Sequence, residues 1–185
     1  MIDFVSDTTI EKLWSRSLEQ FSDNRGRFVE IFRSRSSSIS IPEMVQDSLS
    51  ESAHGVVRGM HIQTEQWQLV TILQGEVLDV VIDLNSNSTS YMRIKSYQLS
   101  SKGLNQLLIG PGIAHGYRVL SDNCLISYKS SKYYAETPQF GININSPEFS
   151  DFFSGDDILV SVRDSLFPEL SQVAKDAYFL DQLKS

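Results

Sequence analysis

Few side chains in this sequence can exchange a proton near neutral pH. There are three histidines, His54, His61 and His115. His61 ends the run Arg58-Gly59-Met60-His61, and His115 lies in Gly112-Ile113-Ala114-His115-Gly116. An imidazole titrates close to neutrality, which suits general acid–base work. Each histidine fits equally well as a satisfied core or turn residue. Asp79 and Asp83 alternate with Val77 and Val81 in the run 76–84. Two carboxylates on a face that also carries valines point to a polar cavity, and alternation alone fits a solvent-facing strand side as well. Two histidines with distant carboxylates make a poor ligand set, and His61 is followed by Ile62 and Gln63, so no catalytic metal is expected. The single cysteine, Cys124, excludes an intrachain disulfide and a thiolate cluster, and it is expected to pack rather than react.

These residues need elements to position them, and the clearest are in 55–84. A short apolar run ends at His61. A second covers 68–73, Gln74-Gly75 is a turn, and a third covers 76–84. Val, Ile and Leu dominate, with turn residues between, so the runs read as antiparallel strands. Residues 28–32, 92–99, 106–109 and 124–129 read as further strands, the last carrying Tyr128. Ser22-Asp23-Asn24-Arg25-Gly26 is a turn, and Arg25 taken alone is a solvated turn charge. Residues 33–38 form a polar connection. The first 21 residues fit either a helical stripe or a strand around Trp14. Residues 43–48 lead towards Gly55. Many short strands with glycine-rich turns indicate an all-β sandwich or barrel. Leu170, Val173, Ala174, Ala177 and Leu180 recur at helical spacing, which predicts a short C-terminal helix.

Composition bounds the rest. The 185 residues suit one domain, taken as 1–185, and carry a formal net charge of −7 with 41% hydrophobic and 21% charged residues. That is ordinary for a soluble globular protein. The absence of a basic block argues against nucleic acid as a partner. No signal peptide and no membrane-spanning run are expected, which makes the cytoplasm the default location.

Six stretches together carry a resemblance. Asp23-Asn24-Arg25-Gly26-Arg27-Phe28-Val29-Glu30 looks like D-x-R-G-x-F-x-E. Val57-Arg58-Gly59-Met60-His61-Ile62-Gln63 looks like L-R-G-L-H-x-Q. The segment from Gly75 to Asp83 looks like G-E-V-x-D-V-x-V-D. Gly110-Pro111-Gly112-Ile113-Ala114-His115-Gly116-Tyr117 looks like P-x-G-F-A-H-G-F. Tyr128-Lys129 through Tyr133-Tyr134 looks like Y-K-x-x-x-Y-Y, and Leu159-Val160-Ser161-Val162-Arg163-Asp164 looks like I-L-S-x-K-D. In this order they resemble the dTDP-4-dehydrorhamnose 3,5-epimerases, metal-free cupin-type jelly-roll β-barrels acting on nucleotide-linked 4-keto sugars.

The resemblance implies a mechanism without a cofactor. A carbonyl at C4 of the sugar acidifies the hydrogens on C3 and C5, and removal of one gives an enolate. Return of a proton to the opposite face inverts the centre. By resemblance His61 is the base, Asp164 its carboxylate partner and Tyr128 the acid. Arg25 and Arg58 match positions that meet the diphosphate through forked guanidinium contacts. Gln46, His115 and Tyr134 match further pocket positions, and Glu30 is placed to reach a nucleotide base. The strand pattern, apart from the resemblance, leads to the expectation that Asp79 orients His115 across the barrel. Bland rivals remain: Tyr128 as a core tyrosine, and Asp164 as a helix cap.

Three departures stand out. Gln68 occupies the place of a family lysine that meets the enolate oxygen; an amide still donates a hydrogen bond but brings no charge. The connection from His61 to Gln68 is short. The family's late tryptophan has no counterpart in residues 141–147. The readings are therefore an epimerase on an NDP-4-keto-6-deoxy sugar, inverting C3, C5 or both; an epimerase or ketoisomerase on another NDP-keto sugar, such as a GDP-linked heptose; or a non-catalytic cupin that binds a sugar nucleotide. The family implies a homodimer, and a role in making a deoxysugar for a polysaccharide or a glycosylated metabolite.

Overall fold

The structure, a computed structural model, describes residues 3–35, 39–62, 64–134 and 140–175. Their strands are β1 (Val5–Ser6), β2 (Leu13–Ser17), β3 (Gln20–Asp23), β4 (Gly26–Val29), β5 (Gln46–Ala53), β6 (Val56–Ile62), β7 (Gln68–Gln74), β8 (Glu76–Asp83), β9 (Ile94–Ser100), β10 (Asn105–Ile109), β11 (Ile113–Val119), β12 (Asn123–Ser130) and β13 (Leu159–Val160). Two short helices follow, α1 (Val162–Ser165) and α2 (Leu170–Val173). One sheet runs β1-β2-β10-β7-β12-β5, and the other runs β13-β6-β11-β8-β9. Every pairing among these is antiparallel except β13 with β6. The hairpin β3-β4 stands apart as its own two-stranded sheet. The chain is all-β, with a cupin-type jelly-roll architecture.

Alternation decides the packing. Val70, Ile72, Val77, Val81, Leu107, Ile109, Ile113, Tyr117, Val119 and Ile126 point between the sheets and form one core cluster. Cys124 packs into it, and burial pushes its thiol up to about 11. The opposite faces of the same strands are also covered. Val80, Ile82, Leu84 and Ala114 meet Ile142, Ile144, Phe149, Leu170 and Val173 outside the second sheet. Leu69 and Leu108 meet Phe4, Trp14, Trp67, Phe32 and Met44 outside the first. Strands 68–74 and 76–83 are therefore apolar on both faces, which is why they read most clearly.

Several expectations are adjusted. Trp14 lies on strand β2, so the strand alternative holds for the early segment. The strand expected at 28–32 ends at Val29. The segment leading to Gly55 is an eight-residue strand, β5. Asp83 does not share a cavity with Asp79: it accepts bonds from the Asn85 amide at 2.9 Å and Ser90 Oγ at 2.5 Å, closing the β8–β9 connection. The predicted C-terminal helix is present as α2, which buries Leu170 and Val173; Ala177 and Leu180 lie outside the described residues. No helix among the described residues is long and apolar enough to cross a membrane.

Candidate active site

The space between the sheets is apolar on one side and polar on the other. The polar side is built from β5, β6, β11 and β12, with Gln68 from β7 and Asp79 from β8. Strand β5 sends Gln46, Ser48, Ser50 and Ser52 to one face at a spacing of two. Strand β12 sends Tyr128 to the same interior.

A bulge arranges β6. Tyr117 pairs with Arg58 and His115 with His61, so Gly59 and Met60 together oppose Gly116. In a regular strand Arg58 and His61, three apart, would face opposite ways. The extra residue turns both toward the polar side, while Met60 stays in the outer core. Gly59 is needed there. Its φ is +127°, and a Cβ would stand 2.4 Å from Gly116 Cα.

His61 meets Asp164 from α1: Nε2 lies 3.0 Å from Oδ1. The Gly59 amide donates to the other carboxylate oxygen, Oδ2, at 3.3 Å. The Asp164 side chain is 3% exposed and that of His61 25%. Asp164 does not cap its helix: Ser161 does, its Oγ accepting from the Asp164 amide at 3.0 Å. Burial pushes the Asp164 carboxyl up, but the His61 hydrogen bond and charge, the Gly59 amide and Arg163 outweigh it and hold the acid below its usual range. With a carboxylate accepting from Nε2–H, Nδ1 is the basic nitrogen of His61. The Phe167 ring meets the His61 ring edge-on, at 6.0 Å and 81°.

Tyr128 rises from the opposite sheet. Its hydroxyl is 3.2 Å from Ser50 Oγ, which in turn is 3.1 Å from the Tyr117 hydroxyl. Burial pushes the Tyr128 phenol well above 10, and the Tyr117 and Asp79 charges add to this against the Ser50 bond. At neutral pH it holds its proton.

His115 is 5% exposed. Its Nδ1 lies 3.3 Å from Asp79 Oδ2 and its Nε2 2.7 Å from Gln68 Oε1. Asp79 thus orients His115, as the strand pattern suggested. Asp79 is entirely buried, and burial raises its carboxyl more than His115 lowers it.

Arg58 Nε donates to Ser52 Oγ at 3.1 Å. Gln46 Oε1 accepts from the Tyr134 amide at 2.7 Å, and its Nε2 donates to Ser48 Oγ at 2.9 Å. Arg25 and Glu30 are not brought to this cluster within the chain. Arg25 sits on the exposed hairpin, bonded to Asp23 at 2.6 Å, and Glu30 pairs with Arg33 at 2.6 Å. Among the described residues, no group of three or more His, Cys, Asp or Glu side chains converges in a way that could hold a metal ion.

Sequence reasoning passed over four residues. Arg163 Nε donates to Asp164 Oδ1 at 3.3 Å, and its Nη2 lies 3.3 Å from His61 Nε2. Its place beside Asp164 was the available signal. Ser50 and Tyr117 hold Tyr128, and Tyr117 follows His115 by two, the spacing of one strand face. Phe167 had no signal.

The chain is similar to proteins of known activity over most of its length. The family model for dTDP-4-dehydrorhamnose 3,5-epimerase matches residues 7–172. A dTDP-4-dehydrorhamnose 3,5-epimerase of Methanothermobacter thermautotrophicus is 34% identical over 154 residues, covering 79% of this chain and 83% of that protein. One from Shigella flexneri is 36% identical, covering 75% and 83%. The crystal structure of dTDP-6-deoxy-D-glucose-3,5-epimerase from Legionella pneumophila, in complex with dTDP-4-keto-L-rhamnose, is 31% identical. It superposes with a TM-score of 0.88 and 97% coverage of both chains. The chain is an enzyme of the dTDP-4-dehydrorhamnose 3,5-epimerase family.

Proposed function

We propose that the substrate is a dTDP-linked 4-keto-6-deoxy sugar, and that His61, Tyr128 and Asp164 carry its epimerisation at C3, C5 or both. One observation carries the assignment: a carboxylate-backed imidazole on one sheet and a protonated, buried phenol on the other line the same interior. A base and an acid on opposite walls are what inversion through a planar enolate requires. His61 Nδ1 takes the proton next to the C4 carbonyl. The C–H electron pair becomes the enolate, and Asp164 stabilises the imidazolium. Tyr128 returns a proton to the opposite face. Arg58 at the mouth binds the diphosphate, with Gln46, Gln68, His115 and Tyr134 lining the sugar end.

The reading includes a homodimer of single-domain protomers. Arg25 is 85% exposed at its side chain, and Phe21 and Phe28 stand in solvent at 56% and 68% on a hairpin that pairs with neither large sheet. Among the described residues, strand β5 pairs on one side only. A second copy would cover both and bring Arg25 and Glu30 to the nucleotide. Mixing inactive Arg25→Ala and His61→Asn proteins tests this: shared sites regain activity, and self-contained sites do not.

Incubation with dTDP-4-keto-6-deoxyglucose in heavy water, followed by proton NMR, tests the chemistry. Loss of the C3–H and C5–H signals supports double epimerisation, and loss of one supports a single centre. No exchange at either position overturns the assigned substrate.

A further inference from the structure

Removing a proton beside a carbonyl places negative charge on its oxygen, and a preorganised donor there lowers the barrier. Among the described residues, Arg58 reaches Ser52 and Arg163 reaches the His61–Asp164 pair. At the His115 end, position 68 holds an uncharged amide.

Two hydrogen bonds fix His115. Nε2 donates to Gln68 Oε1 at 2.7 Å, so that nitrogen carries a hydrogen, and Nδ1 faces Asp79 Oδ2 at 3.3 Å. Asp79 is wholly buried, and its second oxygen, Oδ1, has no hydrogen-bond partner among the described residues. A lone buried carboxylate with an unsatisfied oxygen is costly. It is tolerable as a neutral acid donating to Nδ1, or as a carboxylate beside imidazolium. Both arrangements hold one shared proton and no net charge. The other titratable groups around the couple are Tyr97, opposite Asp79 on β9, Tyr117 on β11, Tyr128 on β12, and His61, opposite His115 on β6.

We propose that Asp79, His115 and Gln68 form an internal relay that supplies, only when the enolate forms, the positive charge that no fixed cation among the described residues provides at that oxygen. The inference rests on the epimerase reading above. As His61 takes the carbon-bound proton, the C–H pair moves into the new C=C bond and the carbonyl π pair moves onto oxygen. The proton on Asp79 Oδ2 passes to His115 Nδ1. The resulting imidazolium donates Nε2–H to the enolate oxygen, which replaces Gln68 Oε1 as acceptor. The freed Gln68 turns its amide NH2 to the same oxygen. When Tyr128 protonates carbon, the carbonyl reforms and the proton returns to Asp79. Asp79 is here a positioning and charge-supplying residue, and His115 the group that touches substrate.

A double-mutant cycle tests the relay. Hydrogen–deuterium exchange at C3 and C5 is measured at saturating substrate for the wild type, Asp79→Asn, Gln68→Lys and the double variant. Losing one such donor typically costs about a hundred- to a thousandfold, so Asp79→Asn is expected to slow exchange by that factor where Gln68 is present. The ammonium introduced by Gln68→Lys supplies a fixed charge, and in that background Asp79→Asn is expected to cost about tenfold or less. A purely structural Asp79 would cost the same factor in both backgrounds, within about threefold, and that result overturns the relay. If Asp79→Asn does not fold, His115→Gln carries the test, with the same rescue by Gln68→Lys expected and equal losses refuting it. Exchange by the wild type with additive losses overturns the relay alone. No exchange by the wild type overturns the epimerase reading, and the relay with it.

Discussion

Asp164→Asn probes the chemistry of His61 with little change of shape. The Asn oxygen can still accept from the Gly59 amide, which lies 3.3 Å from Oδ2 in the wild type. The amide NH2 then faces His61 Nε2, where an acceptor stood 3.0 Å away. The imidazole must move its proton to Nδ1, and the nitrogen that takes the substrate proton is blocked. In the other amide orientation two donors meet at Gly59 instead. The tautomer shift or the donor–donor contact costs about 1–3 kcal/mol. Loss of the carboxylate removes a further attraction for the imidazolium, at most about 5.5 kcal/mol for charges 3.0 Å apart at an effective dielectric of about 20. Solvent reaching the quarter-exposed His61 screens part of it. A combined effect of about 3–5 kcal/mol corresponds to a loss of about 10²–10⁴ in exchange rate. The assay is deuterium wash-in at saturating substrate, with calorimetric binding of dTDP as control. Affinity should change by less than about threefold, since the substitution removes a transition-state interaction. A rate loss below about tenfold in a folded protein would refute the role given to Asp164. Acid behaviour follows from the depressed Asp164 carboxyl. Its stabilisation is complete above the ordinary carboxylate range and fades as pH falls through the folded-state value, so the variant should lose less stability than the wild type in that acidic window.

Tyr128→Phe removes the acid but leaves the base, so deuterium exchange should persist while inversion falls by about a hundredfold or more, read by NMR of the recovered sugar. Gly59→Ala combines a positive φ with a Cβ 2.4 Å from Gly116 Cα, and should destabilise by about 2–4 kcal/mol in urea unfolding. Asp7 joins the N-terminal strand to β9 through Lys95, at 2.5 Å, and the Tyr97 hydroxyl. Burial raises the Asp7 carboxyl, but these bonds and Thr9 hold it well below its usual range. Stability from Asp7 is therefore present above about pH 4 and lost in acid, and Asp7→Asn should cost about 1–3 kcal/mol at about pH 7 and much less at about pH 2, measured by thermal unfolding.

The legible parts of the fold were those whose side chains obey one period. Strands β7 and β8 show it because both faces meet apolar layers. Strand β5 was hidden for the opposite reason. Its sequence Gln-Asp-Ser-Leu-Ser-Glu-Ser-Ala puts polar atoms inward toward the site and outward toward solvent, so no apolar alternation survives. The strand lost to periodicity is the one that holds Tyr128 through Ser50 and Arg58 through Ser52. Helix α1 was illegible because four residues carry too little pattern. His61, Asp164, His115 and Asp79 were legible as residues, through motif order. That Gln68 bonds His115 was not, because the contact joins strands of different sheets, 47 positions apart.

The bulge in β6 explains why such a site needs this fold. A strand presents every second residue to one side, so Arg58 and His61, three positions apart, cannot share a regular strand face. Placing Gly59 and Met60 opposite the single Gly116 adds the missing step, and two glycines allow the backbones to meet. The same irregularity aims the Gly59 amide at Asp164, which backs His61. Arg58, His61 and Asp164 are thus tied to one backbone feature. Any side chain at position 59 or 116 should disturb Arg58 and His61 together, raising KM and lowering kcat in one step. A substitution at Ser50, which touches Tyr128 and Tyr117 alone among the acid–base groups, should instead act on kcat.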